Sequence, residues 1–420
     1  MDFLHSEIGS AKDNSKSPIH NWYKFTAGFS YKFVEQIINL ESLKTKKSAK
    51  IFDPFAGCGT TLVSSQKEGI FAVGNEGQEF MYNIIRAKLN WWMHDDEFET
   101  CIQFILSELQ NSAKDSNQLF HPLLKTLYRK STLFQLYAIR DAIMKIKSSK
   151  YQLFFQLALS QTLHKVSKYP IAIPYIARGK PIVKPGKAWN TFEKVSRQML
   201  QDSKQPENKI LTSRVYLHDS RKENKNIRNN SCNICITSPP YLNNLDYGEV
   251  SKVHTHFFEI TKSWNDITNK VRKNLVTGAT THYVQSDFHM QDFVRSEFYC
   301  SNIQLGDYLL NKAALIQKSA KRKSGKKTFD FLTLLYFQDM YLVLKEIKRV
   351  LTSKGTAYLI LGDSAPYNVH IPTTEILGEM GQAVGFKDYK IHKIRTRGMK
   401  WKTLTHRHSQ KLNENVLILR

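Results

Sequence analysis

A short strand that runs into a glycine turn and then a helix constrains this fold more than any other stretch of the chain. Residues 51–53 form an apolar run that ends in an acid, the turn contains Gly57 and Gly59, and a helix-like run follows from Leu62 to Lys67. Paired glycines let the backbone turn tightly and approach a ligand, as in dinucleotide-binding loops. Because a third glycine and a Gly-Lys-Ser/Thr sequence are both absent, a phosphate-binding P-loop is not expected.

An acidic residue follows at the end of the next predicted strand. Residues 71–74 are small or apolar and lead into Asn75 and Glu76. A carboxylate about 20 residues beyond a glycine loop suits the two hydroxyls of a ribose. A solvated helix cap is the alternative interpretation of Glu76.

The end of a further predicted strand combines a hydroxyl, two prolines and an aromatic ring. The apolar run 234–236 leads into Thr237-Ser238-Pro239-Pro240-Tyr241. Because proline lacks an N–H donor and fixes φ, we expect the backbone to leave the sheet here with its carbonyl groups unpaired. Open α/β sheets bind ligands at such strand ends. The cluster can bind a planar amino group while the ring stacks on a heterocycle, and a Pro-Pro turn with a buried tyrosine is the alternative.

Together these stretches resemble the amino-group DNA methyltransferases that use S-adenosylmethionine. In that family Asp-Pro-Phe-x-Gly-x-Gly-Thr-Thr is the cofactor loop, and Ser-Pro-Pro-Tyr is typical of the cytosine-N4 branch; both are complete here. The resemblance implies that the catalytic residues are Ser238, Pro239, Pro240 and Tyr241. It implies that the cofactor-binding residues of the loop and the next strand are Asp53, Pro54, Phe55, Gly57, Gly59, Thr60, Thr61 and Glu76.

Two flanking stretches extend the resemblance. Phe25, Thr26 and Ala27 begin a segment similar to the one that closes over the methionine part of the cofactor. Asp219 and Ser220 resemble the strand end whose aspartate bonds the adenine ring. The resemblance covers residues 18–95, 212–255 and 329–420, and it does not extend to the rest of the chain.

The resemblance also implies the architecture. We expect an α/β, Rossmann-like class I methyltransferase fold with a mostly parallel seven-stranded sheet and two inserted segments that are largely helical or irregular. Which insertion recognises the target stays open, because the order of segments departs from the simple layouts of the family. The predicted segments are a flexible N-terminal arm (1–17), the cofactor-binding half (18–95), a helical insertion (96–212), the catalytic motif (213–255), a second insertion with a basic run (256–328) and the remaining sheet (329–420).

The formal net charge of +24 favours a polyanionic partner. Three basic stretches are therefore candidates for contact with DNA phosphates, although charge runs are usually solvated surface. The candidate residues are Arg178, Lys180, Lys321, Arg322, Lys323, Lys326, Lys327, Arg395, Arg397 and Lys400.

The remaining composition argues against a membrane protein and a metalloprotein. No apolar run reaches the roughly 20 residues that span a bilayer, and the first residues do not resemble a secretion signal. Five scattered cysteines indicate reduced thiols in a cytoplasm. Cys232 and Cys235 could form half of a zinc site, but no second Cys or His pair lies at metal-ligand spacing, so no metal site is expected. The chain also lacks the Pro-Cys dipeptide that would suggest a ring-carbon methyltransferase.

The function implied by the resemblance is a site-specific cytosine-N4 methyltransferase acting on double-stranded DNA in a bacterium or archaeon. It would use S-adenosylmethionine and protect DNA from a cognate restriction endonuclease. Ser238 favours cytosine, because Asp-Pro-Pro-Tyr usually accompanies adenine in the family. The alternatives are an adenine-N6 enzyme, an RNA guanine-N2 methyltransferase and a non-catalytic DNA-binding subunit.

Overall fold

The computed structural model describes residues 11–25, 28–43, 49–112, 118–171, 176, 186–203, 212–283, 288–320, 328–397 and 410–420. Its strands are β1 Lys50–Asp53, β2 Phe71–Glu76, β3 Arg214–Leu217, β4 Cys232–Thr237, β5 Leu351–Gly362, β6 Tyr389–Arg397 and β7 Leu412–Leu419. Its helices are α1 Tyr31–Leu40, α2 Thr60–Lys67, α3 Glu79–Leu89, α4 Asp95–Asn111, α5 Pro122–Leu127, α6 Lys130–Met144, α7 Ser149–Val166, α8 Ala188–Ser203, α9 Tyr247–Val250, α10 Lys252–Phe257, α11 Trp264–Asp266, α12 Met290–Val294, α13 Glu297–Ser301, α14 Ile303–Ala320, α15 Phe329–Val350 and α16 Thr373–Ala383.

The described strands form a single seven-stranded sheet in the order β3-β2-β1-β4-β5-β7-β6. β7 is antiparallel to both of its neighbours, and the pairs among β1 to β5 are parallel. The predicted α/β fold with a mostly parallel sheet is therefore confirmed. β2 lies on one side of β1, and β3 follows β2 at the edge of the sheet. The next strand in sequence, β4, pairs with the other side of β1. That reversal opens a crevice at the carboxyl ends of β1 and β4, where such sheets bind ligands.

Each face of the sheet carries its own core. Successive strand side chains point to opposite faces, so Ile51 and Phe52 of β1 join different clusters of buried residues. The cluster around Ile51 extends into α4, α6, α7 and α8, which explains the apolar faces of the first insertion. The cluster around Phe52 extends into α12 to α16. No helix in the described ranges is both long and apolar enough to cross a bilayer.

The described part of the predicted N-terminal arm contacts the segment that begins α1. Asn14 is buried; its side-chain Nδ2 donates to the carbonyl of Phe29 at 2.9 Å, and its Oδ1 accepts from the backbone N–H of Tyr31 at 2.9 Å. Ser30 Oγ donates to Asp13 Oδ2 at 2.8 Å. These bonds fix residues 13 and 14 against the start of α1. The polar composition of this stretch did not reveal them, because the partners lie 15 to 17 residues away.

Candidate functional site

Two adjoining cavities lie at the carboxyl ends of the central strands. The first, called here the narrow cleft, has a volume of about 80 Å³ and lies at the ends of β1, β2 and β3. The second, the wide cavity, has a volume of about 1040 Å³ and lies beside Tyr241. The residues that line both cavities are Phe25, Gly28, Phe29, Cys58, Ser238 and Tyr247. The hydroxyl of the Ser-Pro-Pro-Tyr motif therefore belongs to the junction of the two cavities.

The glycine turn forms one wall of the narrow cleft. Gly57 and Gly59 have φ values of +57° and +85°, a left-handed conformation that side chains with a Cβ rarely adopt. Gly59 directly precedes α2, so the turn delivers the chain into the helix. The N–H of Gly57 donates to Glu76 Oε2 at 2.9 Å, which ties this turn to the end of β2.

Glu76 contributes a buried carboxylate to the cleft. Its Oε2 accepts from Gly57, and its Oε1 accepts from the backbone N–H of Gln78 at 2.9 Å. Burial raises the pKa of Glu76 to about 7, although these backbone hydrogen bonds favour the ionised form. A carboxylate offers about four lone-pair positions, so both oxygens retain the capacity to accept from hydroxyl groups of a ligand.

Asp53 lies behind the cleft and is not among the described residues that line either cavity. Its Oδ1 accepts from the backbone N–H of Phe55 at 2.9 Å and from Thr237 Oγ1 at 2.6 Å, so it joins β1 to β4. Burial raises the pKa of Asp53 to about 6. Thr61 Oγ1 also reaches β4, donating to the carbonyl of Ile236 at 3.1 Å. These two predicted cofactor residues therefore support the loop from behind.

The end of β3 forms the opposite wall. Ser220 Oγ donates to the carbonyl of Pro54, which joins this wall to the glycine turn. The Asp219 carboxylate is held by the guanidinium of Arg221 through two hydrogen bonds of 2.9 Å. Arg221 also pairs with Asp339 at 3.1 Å. Asp219 lines the cleft, and the arginine that holds it was not identified from the sequence.

The hydroxyl of Ser238 is oriented by β5. Its Oγ lies 3.1 Å from the carbonyl oxygen of Ile360. Because a carbonyl only accepts, the hydroxyl donates its proton there, and the lone pairs of Ser238 Oγ remain available as acceptors. The carbonyl of Pro240 accepts from the hydroxyl of Tyr336 at 2.9 Å. The prediction of unpaired carbonyls is therefore wrong for Pro240, since a tyrosine of α15 spares this group the cost of burial without a partner.

A chain of polar contacts holds the ring of Tyr241 at the wide cavity. Its hydroxyl donates to Glu414 Oε1 at 2.9 Å, and Glu414 forms an ion pair with Arg395. The register between β6 and β7 shifts between Lys393 and Arg395, and this irregularity places Arg395 opposite Glu414. Bulges of this kind often redirect side chains near functional sites.

The wide cavity is basic and aromatic. Of the described residues that line it, Glu414 is the one acid, whereas four are lysine or arginine: Lys12, Lys24, Lys165 and Arg395. His164 also lines it, with Nε2 3.1 Å from the Nε2 of His254. Burial lowers the pKa of His164 to about 4, so this imidazole is neutral near pH 7. Aromatic rings complete the lining, namely Tyr23, Phe25, Phe29, Tyr241 and Tyr247.

Most of the predicted cofactor residues that the structure describes line the narrow cleft. They are Phe25, Pro54, Phe55, Gly57, Thr60, Glu76, Asp219 and Ser220. Gly59 and Pro239 are buried next to residues that line the cavities. Several predicted residues lie outside the part of the chain that the structure describes, namely Thr26, Ala27, Arg178, Lys180, Lys321, Arg322, Lys323, Lys326, Lys327, Lys400 and the side chain of Arg397.

Other residues of the cleft were not predicted. Three of them adjoin predicted residues in sequence, namely Asn75, Gln78 and His218. Their position at strand ends could have indicated that they line the cleft. Residues 274–276 belong to the second insertion, where no sequence pattern indicated a cleft wall.

The donor set of the narrow cleft suits a nucleoside with an attached chain. Glu76 can accept from ribose hydroxyls, and Phe55, Met81 and Leu275 offer apolar surface for a ring. Asn75 Nδ2 is buried and has no hydrogen-bond partner among the described residues. These features fit S-adenosylmethionine. Among the described residues, no group of three or more His, Cys, Asp or Glu side chains is arranged to hold a metal ion.

The sequence is similar along most of its length to proteins named Type II methyltransferase. M.AvaI of Nostoc sp. is 23% identical over 426 residues, which cover 92% of this chain and 83% of the relative. M.MvaI of Kocuria varians is 21% identical over 412 residues, covering 92% and 85%. M.BsoBI of Geobacillus stearothermophilus is 20% identical over 441 residues, covering 94% and 84%. No family model matches the chain.

Proposed function

We propose that this chain is a site-specific DNA methyltransferase that transfers a methyl group from S-adenosylmethionine to the exocyclic N4 amino group of cytosine in double-stranded DNA. The observation that carries the proposal is the position of Ser238, in a Ser-Pro-Pro-Tyr sequence, where the narrow cleft opens into the wide cavity. The similarity to Type II methyltransferases supports a role in restriction–modification, with a cognate endonuclease as the functional counterpart.

In this proposal the narrow cleft holds the cofactor. Glu76 accepts from the ribose hydroxyls, and the left-handed glycine turn lets the backbone approach the ligand. Asp219 and Ser220 face the adenine end, and Phe25 covers the end near Ser238. When bound, S-adenosylmethionine supplies a methyl group on a positively charged sulfur, which is already a good electrophile.

The wide cavity receives the target base after it leaves the duplex. Its volume of about 1040 Å³ accommodates an extruded nucleotide, and opening a base pair costs only a few kcal/mol. Tyr241 offers its ring for stacking while Glu414 holds the ring hydroxyl. Lys24 and Lys165 lie in the cavity wall, where they can contact the flanking phosphates.

Ser238 acts on the amino group as a hydrogen-bond acceptor. An exocyclic amino nitrogen is a weak nucleophile because its lone pair is delocalised into the ring. A bond from the amino group to Ser238 Oγ, out of the ring plane, favours the tetrahedral nitrogen that attacks. Since the Ser238 proton is donated to Ile360, the hydroxyl serves as an acceptor, and the proton released by the nitrogen passes to water.

Methyl transfer to nucleic acid tests this proposal. Purified protein is incubated with methyl-labelled S-adenosylmethionine and either duplex DNA or total cellular RNA. We expect label in DNA, none in RNA, and no protein–DNA adduct on a denaturing gel. Label in RNA alone would replace the DNA substrate, and binding of DNA without any transfer would indicate a non-catalytic subunit.

A pair of glycine variants links that transfer to the cleft. Gly57→Val should abolish S-adenosylmethionine binding, because Gly57 has a left-handed φ and lines the cleft. Gly69→Val is the matched control, since Gly69 has a φ of +72°, has open space around it and is not among the described residues that line either cavity. Equal loss of cofactor binding in both variants would show that backbone strain causes the loss, and not the position of Gly57 in the cleft.

A further inference from the structure

A segment of the second insertion, residues 272–282, lies between the narrow cleft and the stretch that follows Ser-Pro-Pro-Tyr, and it is called here the bridging segment. On one side, its residues 274–276 line the narrow cleft. Its backbone packs tightly over the residue after Glu76, because a Cβ added to Gly77 would lie 2.5 Å from the carbonyl oxygen of Asn274. A ligand in the cleft therefore contacts the bridging segment.

The other side of the bridging segment touches the stretch that follows Ser-Pro-Pro-Tyr. The carbonyl of Gly278 accepts from the backbone N–H of Asn243 at 3.1 Å. A Cβ added to Gly278 would lie 3.6 Å from Pro240 Cβ and 3.7 Å from the carbonyl oxygen of Tyr241. We call residues 242–248 the target loop, since they continue directly from the stacking tyrosine.

Asp246 joins the two stretches through a buried set of polar contacts. On the bridging segment, Arg272 Nε donates to Asp246 Oδ2 at 3.1 Å and Thr281 Oγ1 donates to the same oxygen at 2.7 Å. His282 Nε2 lies 3.3 Å from Asp246 Oδ1. On the target loop, Asp246 Oδ1 accepts from the N–H of Gly248 at 3.0 Å and begins α9.

The charges of this cluster are buried and mutually dependent. The side chain of Arg272 is 1% exposed and that of Asp246 is 9% exposed. Burial alone would raise the pKa of Asp246, but the nearby His282 and the hydrogen bonds from Arg272 and Thr281 hold that pKa well below its usual range. Separating Arg272 from Asp246 would leave both charges buried without compensation, which is costly. The ion pair therefore holds the two stretches together, and we expect them to move together.

We infer that Asp246 couples the narrow cleft to the target loop, so that a ligand in the cleft orders the loop that presents the stacking tyrosine. The inference rests on the proposed function. The positioning residues are Asp246, Arg272 and Thr281. They act on the narrow cleft and the target loop through the backbone that they hold, and not by contact with the reacting atoms. Coupling of this kind is reciprocal, so target binding should in turn strengthen cofactor binding.

Hydrogen exchange of the full-length protein tests the coupling without knowledge of the target sequence. S-adenosylhomocysteine, the demethylated cofactor, is the probe, and peptides covering residues 272–283 and 242–250 are followed by mass spectrometry. In the wild type we expect slower exchange in both peptides when the probe is bound. In Asp246→Asn we expect slower exchange in 272–283 and loss of the slowing in 242–250. Asparagine still begins a helix well, so α9 should persist.

Matched variants separate coupling from general damage. Asp266→Asn removes a carboxylate of the same insertion that is not among the residues lining either cavity, and it should behave like the wild type. If Asp246→Asn does not fold, Thr281→Val removes one bond to Asp246 while keeping the ion pair, and it should weaken the slowing in 242–250. Full slowing of 242–250 in the folded variant, or slowing confined to 272–283 in the wild type, would overturn the inference. Absence of probe binding to the wild type would overturn the proposed function and the inference with it.

Discussion

Glu76 is a buried carboxylate of the narrow cleft, and its charge state should affect cofactor binding. Burial raises its pKa from 4.5 to about 7, and in the proposed function ribose hydroxyls donate to the ionised carboxylate. Below pH 7 the empty protein must first lose that proton, so affinity for S-adenosylhomocysteine should fall about tenfold per pH unit, and it should be constant well above pH 7. Calorimetry between pH 5.5 and 8.5 measures this dependence.

Glu76→Gln is the matched variant for that measurement. It keeps the shape of the side chain and removes the titration, so the affinity should lose its dependence on pH in this range. At pH 8 the variant should bind more weakly by roughly 1.5–3 kcal/mol, the usual worth of hydrogen bonds to a charged group. The same pH profile in the wild type and the variant would assign the dependence to another group.

Ser238 is the residue at which binding and chemistry can be separated. Its bond to the amino group should strengthen as the nitrogen becomes tetrahedral and positively charged, so Ser238→Ala should mainly lower kcat. A loss of about 1.5–3 kcal/mol corresponds to roughly a 10- to 150-fold decrease. The dissociation constant for DNA should change little. Steady-state kinetics measure kcat, and a DNA titration measures the dissociation constant. A loss of DNA affinity with kcat unchanged would show that Ser238 has a binding role only.

At the scale of secondary-structure elements, β6 and β7 hold the ring of Tyr241, which in the proposed function stacks on the target base. Tyr241→Phe keeps the ring and removes its bond to Glu414, whereas Tyr241→Ala removes the stacking surface as well. We expect Tyr241→Ala to weaken DNA binding by about 1–3 kcal/mol, as for other base–aromatic stacks. Tyr241→Phe should retain most of the affinity. Fluorescence titration with duplex DNA checks both, and equal losses would show that the hydroxyl, not the ring, matters.

The elements that were predicted correctly are those whose signal is local in sequence. The strand, glycine turn and helix around Gly57 are contiguous, and Glu76 follows within the same unit. The contacts that were missed join distant elements. Tyr241 reaches Glu414 across 173 residues, and Arg272 reaches Asp246 across 26. Neither hydrophobic periodicity nor the spacing of motifs in the sequence indicates such pairs, because they form only when the sheet and the second insertion pack together.

At the scale of the whole molecule, the net charge of +24 favours a polyanion, and four lysine or arginine side chains line the wide cavity. Each phosphate contact contributes about 0.9 to the slope of log affinity against log salt concentration on duplex DNA. Replacing Lys24 and Lys165 by glutamine should therefore lower that slope by up to about 1.8. Lys354→Gln is the control, because this exposed lysine lies towards the opposite end of β5. Equal slopes in all three proteins would mean that the cavity lysines do not touch phosphates.

The reaction proposed for this molecule is methyl transfer to the N4 amino group of cytosine in DNA. The most direct test is mass spectrometry of nucleosides from duplex DNA incubated with the protein and S-adenosylmethionine. We predict N4-methylcytosine, at a level that reaches a plateau when every copy of a short sequence is modified. N6-methyladenine in its place would contradict the assignment of the base, and DNA without any methylated nucleoside would contradict the proposed function.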